Sequence, residues 1–484
     1  MKKNVTEYVL YRWRYIIGYT LAAILVTAIF VFAAFLLPDG LRAEEKATAV
    51  ASGSFTYGTF NPDLVANLPY HLLQRTSFAL LDVSTFTIKL PSIILGVVTI
   101  YGVFLLLRQW FKPNVAIITG IITTTIPAMI FAAQDGTPTI FMLAVSVWLL
   151  LSATHVTRRH KPELVWKLLA VVLLSLNMYI PLGIYLNLAV LTTMIFHPHI
   201  RLVMRRMNIH HILIAIGLSL IVMAPLVYSL TSKPEVGEQL LGIPENIGSL
   251  KAALVSFAAL IFGSYAPGKE VVAPQLLSLG TTAVVIIGII RFLMIKHTAR
   301  SYIIWFWALT LIPLVVLNQQ YVSYLLPLVV LMLAMGINTL IREWYRMFPH
   351  NPYARVVGLL PLSVIVVGLV LSGIARYEIA YNYTPSTATD FDNDTQLLPK
   401  AVAAADRVGD NTVSVVVNQP DMPYYLLLAR YNGHFKPTTS LDVPTPVVVS
   451  GDYAGRSRIQ KAPTEVFTSR LQERSDRFYL YTSL

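Results

Sequence analysis

The chain has 484 residues, of which 55% are hydrophobic and only 13% charged. A soluble domain carries about 25% charged residues, so the composition excludes an ordinary soluble protein. A formal charge of +12 would suggest nucleic acid on a soluble chain; here it marks cytoplasmic loops, and no nucleic-acid partner is expected. The absence of cysteine removes disulfides, thiol nucleophiles and Cys-ligated metals.

Lys2, Lys3, Arg12 and Arg14 precede an apolar run from about Tyr15 to Leu37. The run is longer than the h-region of a signal peptide and lacks a small-x-small cleavage site before Pro38, so it reads as a retained first helix. Further apolar spans fall at about 84–107, 114–133, 138–156, 164–180, 181–197, 210–230, 275–295, 301–317, 319–341 and 354–376. Together they predict about 11 transmembrane helices. Leu164 to Phe196 is one apolar stretch, predicted to turn near Asn177 to Gly183, where Pro181 and Gly183 break it.

With the N-terminus inside, short alternate loops collect about half of the 37 basic residues, which selects an N-in, C-out orientation. Two outer loops are long, about 38–85 and 231–274. The second contains Leu250 to Phe262, an apolar stretch short enough to lie in the membrane interface. The chemistry is expected on this face, where loops are long enough to build a site. After Tyr377 acids appear and the apolar runs shorten. Strands are predicted at Thr412–Asn418, Thr445–Ser450 and Phe478–Tyr481, and a helix at Pro423–Tyr431. The predicted fold is thus a polytopic α-helical membrane protein, with residues 1–376 in the membrane domain and 377–484 forming a small extracytoplasmic α/β domain.

Glu44 and Glu45 lie just after the first span, and a carboxylate held there near lipid would have a raised pKa suited to a general base. The plainer alternative is that both are first-turn acids of a loop helix, favourable to its dipole. Tyr70, His71 and Arg75 fall on a predicted amphipathic helix, and Lys89 opens the second span. Arg75 and Lys89 are cations at the level of a lipid phosphate, or residues that snorkel. His71 alone suits an interfacial histidine. Gln134 and Asp135 end the third span, where Asp135 can orient a hydroxyl or simply cap a turn. Tyr321 and Tyr324 open the tenth span as site or belt residues, and Lys269 is a cation of the second long loop. No phosphate-binding glycine loop, HExxH or GxSxG occurs, and the span centres hold almost no ionisable group, which weakens an ion-coupled transporter.

The order of these segments resembles the GT-C fold of membrane glycosyltransferases that use polyprenyl-phosphate-linked sugars. The branch it resembles more closely includes the protein O-mannosyltransferases, the lipid A aminoarabinose transferase and the Rgt-type galacturonosyltransferases. Glu44-Glu45-Lys46 stands where that branch has an Asp-Glu pair. Lys89-Leu-Pro-Ser-Ile-Ile-Leu-Gly96 is similar to its Arg-Leu-Pro-Ser-Ala-Leu-x-Gly. Leu68-Pro69-Tyr70-His71, Gln134-Asp135 and Tyr324-Leu-Leu-Pro327 are similar to its other segments. The pair's Asp is Glu44 here, and the Arg is Lys89, which loses a bidentate contact.

The resemblance implies inverting transfer at the outer face, with Glu45 or Glu44 as base and Lys89, Arg75 or Lys269 stabilising the departing phosphate. Asp135, Gln134, Tyr70, His71, Tyr321 and Tyr324 would contact substrate. The partners implied are a polyprenyl-phosphate sugar, a glycan, lipid or protein acceptor, and membrane lipid. No cofactor is implied, and metal dependence stays open. The alternative is a non-catalytic membrane protein or a transporter of lipid-linked sugar.

Overall fold

The computed structural model describes residues 9–36, 40–55, 61–158, 163–244, 249–262, 276–295, 298–347, 353, 357, 359–382, 391–408, 412–433, 435–468 and 477–482. Lys269 lies outside them.

The first helix, α1 (Val9–Phe35), is followed by the loop helices α2 (Ala43–Gly53) and α3 (Leu68–Leu81). Then come α4 (Thr85–Trp110), α5 (Pro113–Thr124), α6 (Pro127–Gln134), α7 (Thr139–Arg158), α8 (Glu163–Asn177) and α9 (Gly183–Phe196). The series continues with α10 (Pro198–Arg205), α11 (Ile209–Ser232), α12 (Glu235–Leu241), α13 (Leu250–Phe262), α14 (Leu279–Leu293), α15 (Ala299–Leu317), α16 (Leu326–Met347) and α17 (Leu359–Asn382). Among the described residues, 6 helices are long and apolar enough to cross a membrane, or 8 if each of two bent pairs is one span. The chain is a multi-pass membrane protein. The other expected spans, at 15–37, 164–180 and 275–295, coincide with α1, α8 and α14. The predicted hairpin between 164–180 and 181–197 is present as α8 and α9.

The third expected span is not one helix. It breaks between α5 and α6 with a bend of 65°. Pro127 forces the break, because the residue before a proline is driven out of the helical region, and Ile126 is extended at φ −64, ψ 127. The same rule acts at Pro198, where His197 is extended and α9 and α10 diverge by 89°. The first break aims the end of α6, with Gln134 and Asp135, toward the loop helices. Elsewhere the spans pack closely. A Cβ on Gly288 of α14 would lie 1.9 Å from the Met332 carbonyl oxygen, and one on Gly336 of α16 would lie 2.1 Å from that of Val284. Only glycine permits that approach.

The C-terminal part holds α18 (Asp394–Asp406) and α19 (Met422–Asn432) beside a five-stranded sheet. Its strands are β1 (Val413–Val416), β2 (Phe435–Thr438), β3 (Val447–Ser450), β4 (Glu465–Thr468) and β5 (Arg477–Tyr481), in the order β2-β1-β3-β5-β4. The first three are parallel, and β5 is antiparallel to β3 and β4. Alternation decides the faces. Val413, Val415, Val448, Phe478 and Leu480 meet both helices, whereas Val416, Val447, Val449, Tyr479 and Tyr481 pack against Leu441 and Val443 from the β2–β3 connection. The helix-side core also takes in Leu41, Ala49, Phe78, Val83 and Ile88, so the segment between α1 and α4 and this sheet domain share one core.

Candidate functional site

The site is built where the loop helix α2 meets the ends of α1, α4 and α6. Arg42 precedes α2, and Glu44 and Glu45 occupy its first turn, where acids complement the exposed N–H groups. The Arg42 backbone N–H donates to Glu45 Oε2 at 2.8 Å. The Gly136 N–H donates to Glu45 Oε1 at 2.6 Å. Glu45 is therefore both a cap of its own helix and a strut to the loop after α6. Its neighbour Glu44 points outward, with a side chain 71% exposed and 3.1 Å from Arg42 Nη2.

Lys89 enters from the start of α4 and is fully buried. Its ammonium donates to Gln134 Oε1 at 3.0 Å and to the Ala34 carbonyl at 3.3 Å, and stands 3.9 Å from Glu45 Oε1. Ala34 and Gln134 lie at the C-terminal ends of α1 and α6, where helix dipoles favour a cation. The Gln134 Nε2 is buried and makes no hydrogen bond among the described residues. A lysine and an amide donor thus stand side by side against a carboxylate.

Arg42 and Asp135 complete the cluster. Arg42 Nη2 donates to Asp135 Oδ1 and Oδ2 at 2.8 and 2.9 Å, and Thr137 Oγ1 also donates to Oδ2. Burial pulls the Arg42 guanidinium down, but Asp135, Glu44 and Glu45 outweigh it and hold its pKa above the ordinary value. Burial pushes the Glu45 carboxyl up; Lys89 opposes this and Asp135 reinforces it. An aromatic wall encloses the group. Phe131 lies under Arg42, with the guanidinium 4.7 Å from its ring, and stacks on Tyr381 at 6.0 Å. Phe391 faces Tyr381 and lies 5.9 Å from the Lys89 ammonium. Behind this wall a cavity of about 480 Å³ is lined by Ala28, Phe32, Ile130, Ile374, Tyr377 and Glu378, among others. It lies between α1 and α17, whose apolar side chains, among them Leu25 and Leu371, are largely exposed outward.

Tyr70 and His71 support the site from α3. The Tyr70 hydroxyl meets Ser92 of the Leu-Pro-Ser segment at 2.7 Å. The Ser52 hydroxyl joins His71 Nδ1 at 2.8 Å to Gln74 Oε1 at 2.6 Å, and Gln74 Nε2 donates to the carbonyls of Ile88 and Gly136. This network braces the Gly136 backbone that holds Glu45. Arg75 turns away, its guanidinium 5.4 Å from the Tyr431 ring of the sheet domain. Tyr321 and Tyr324 pair with each other at 5.1 Å between α15 and α16 and are not brought into the cluster. The cluster therefore gathers Glu45, Lys89, Gln134 and Asp135 with Tyr70 and His71 behind them. The sequence reading overlooked Arg42, although an arginine directly before an acid pair on an apolar chain was a visible signal.

Residues 68–228, a third of the chain, match the dolichyl-phosphate-mannose-protein mannosyltransferase family. No curated protein matches in sequence. ArnT from Cupriavidus metallidurans in complex with undecaprenyl phosphate superposes with a TM-score of 0.56 at 12% identity, covering 96% of this chain and 98% of that one. Its apo form gives 0.55 at 15% identity, over 96% and 97%. The oligosaccharyltransferase AglB from Archaeoglobus fulgidus, in complex with an inhibitory peptide and a dolichol-phosphate, gives 0.52 at 11% identity, over 97% of this chain and 75% of that one. The GT-C fold anticipated from the segment order is the fold of this chain.

Proposed function

We propose that the protein is an inverting membrane glycosyltransferase acting at the outer face, on a sugar carried by a polyprenyl phosphate. In this reading the chain crosses the membrane about 11 times with its N-terminus inside, and residues 377–484 stand outside. The observation that carries the chemistry is the buried pair of Glu45 and Lys89, 3.9 Å apart. One group suits a base and the other an anion, at one point beside a lipid-facing cavity. The cavity takes the apolar chain of the donor. Its phosphate meets Lys89 and the free Gln134 amide.

Glu45 accepts the proton of the acceptor hydroxyl. The hydroxyl oxygen forms a bond to the anomeric carbon as the carbon–oxygen bond to phosphate breaks in line, and polyprenyl phosphate leaves with that bonding pair. A carboxylate has about four lone-pair positions, so two backbone donors leave capacity for the hydroxyl. Asp135 and Arg42 hold the loop that carries Gly136. The fit to ArnT bound to undecaprenyl phosphate and to AglB bound to dolichol-phosphate supports a lipid-phosphate donor.

The test is release of polyprenyl phosphate by the purified protein from synthetic polyprenyl-phosphate mannose, glucose, galactose and aminoarabinose. Release by the wild type, and release slower by about 10²–10⁴-fold in Glu45→Gln, supports the reading. Loss in Glu44→Gln alone, with Glu45→Gln active, moves the base to Glu44, whose carboxylate is open to solvent and beside Arg42. Inertness toward every donor favours the non-catalytic alternative.

A further inference from the structure

The helix that carries Glu45 is gripped by the sheet domain at both ends. Before its first turn, Leu41 and Asp392 exchange backbone hydrogen bonds of 2.8 and 3.0 Å. Gly40, at φ +103, passes so near that a Cβ would lie 2.4 Å from the Asp392 carbonyl oxygen. At its last residue, a Cβ on Gly53 would lie 2.2 Å from Leu427 of α19. Between these points stands Lys46, its side chain 13% exposed. The ammonium lies 2.6 Å from Asp392 and 3.3 Å from Asp394, and 5.1 Å from the Tyr424 ring. Asp394 Oδ2 also accepts from the Tyr425 hydroxyl at 2.7 Å.

We infer that Lys46, Asp392 and Asp394 form an ionic latch through which the sheet domain positions Glu45. Lys46 is then a positioning residue of the transfer reaction proposed above, and the inference rests on that reading for its catalytic consequence. The geometry is that of a helix. Successive side chains are turned by about 100°, so Glu45 faces the membrane domain while Lys46, one residue on, faces the sheet domain. Fixing the azimuth of one fixes that of the other. The segment Phe391–Asp394 serves both sides, since the Phe391 ring lies near Lys89 while Asp392 and Asp394 hold Lys46. Nothing in the latch touches the carboxylate of Glu45, so it acts through placement alone. Burial pushes Asp392 up to about 7, with Lys46 opposing and Asp394 adding, which fits one cation serving two acids.

The experiment uses the full-length protein in detergent, comparing wild type, Lys46→Met, Lys46→Arg and the exchange pair Lys46→Asp with Asp392→Lys. Amide hydrogen exchange over residues 43–53 is measured without donor, and kcat and KM with polyprenyl-phosphate sugar. The expected result for Lys46→Met is at least tenfold faster exchange over 43–53 with β1 and β3 unchanged, which separates release of the helix from unfolding. Alongside it, kcat falls tenfold or more while donor KM stays within twofold, and Lys46→Arg recovers most of both. Recovery by the exchange pair supports the latch further. Unchanged exchange in Lys46→Met overturns the latch whatever the activity. Faster exchange with unchanged kcat overturns its positioning role. A wild type inert toward every donor overturns the transferase reading instead, and the exchange result alone then decides whether the latch exists.

Discussion

Arg42 and Asp135, 93 residues apart in the chain, meet as a bidentate ion pair with side chains 6% and 1% exposed. The pair ties the start of the loop helix to the end of the broken third span. It also fixes the two backbone N–H groups that hold Glu45, because Arg42 and Gly136 flank it on either side.

Removing one partner of such a buried pair leaves the other charge unpaired and costs about 3–5 kcal/mol. Asp135→Asn and Arg42→Met are each expected to lower the thermal midpoint in detergent sharply. Arg42→Lys recovers little, because an ammonium cannot make the two-pronged contact. The double variant Arg42→Met with Asp135→Leu regains most of the lost stability while transfer stays impaired. Additive losses in the double variant would contradict this account.

Glu45→Gln keeps the shape of the strut and removes the proposed base. General-base catalysis contributes about 10²–10⁴-fold, so kcat should fall by that order in single-turnover assays. Glu44→Gln should stay within about twofold of wild type, since an exposed ion pair contributes little. Because burial raises the Glu45 carboxyl, the acid limb of kcat/KM should lie above the ordinary carboxylate range. An acid limb at ordinary carboxylate pH would argue against Glu45 as the base.

His71 makes acid stability measurable. Burial pushes its pKa down from 6.5 to about 4. The unfolded ring binds a proton that the folded one refuses, so the contribution is full above pH 6.5 and is lost as pH falls toward 4. At about 1.36 kcal/mol per unit this amounts to about 3 kcal/mol. His71→Gln, which can still meet Ser52, should flatten the fall in thermal midpoint between pH 6.5 and 4. An identical pH slope in variant and wild type would show that another group controls it.

Gly288 and Gly336 let α14 and α16 approach backbone to backbone. Gly288→Ala forces the helices apart, and overpacking of this kind costs about 1–3 kcal/mol. The thermal midpoint should fall while donor KM is unchanged, since these helices hold none of the clustered residues. A midpoint equal to wild type would mean that the two helices separate without cost.

Much of this protein was determined by sequence alone, for a physical reason. A bilayer demands long apolar runs, and such runs are visible residue by residue. The helices therefore appear in the expected order, and the hairpin between α8 and α9 turns where Pro181 and Gly183 interrupt the apolar stretch. A local pattern likewise announced β1, by alternation over Thr412–Asn418, and β3 and β5, by short apolar runs. It did not announce β2 and β4, whose runs Phe435–Thr438 and Glu465–Thr468 hold four residues each and at most two large apolar side chains. Pro127 was legible as a residue, but whether a proline kinks a span or ends it depends on what packs around the freed backbone. What only the tertiary structure decided is which charges meet. Two adjacent glutamates look alike in sequence, and it is the direction of α2 against its neighbours that buries Glu45 beside Lys89 and leaves Glu44 in solvent. The partners of Arg42 and Lys46 lie 93 and about 350 residues away, and no local pattern encodes a contact that only folding creates.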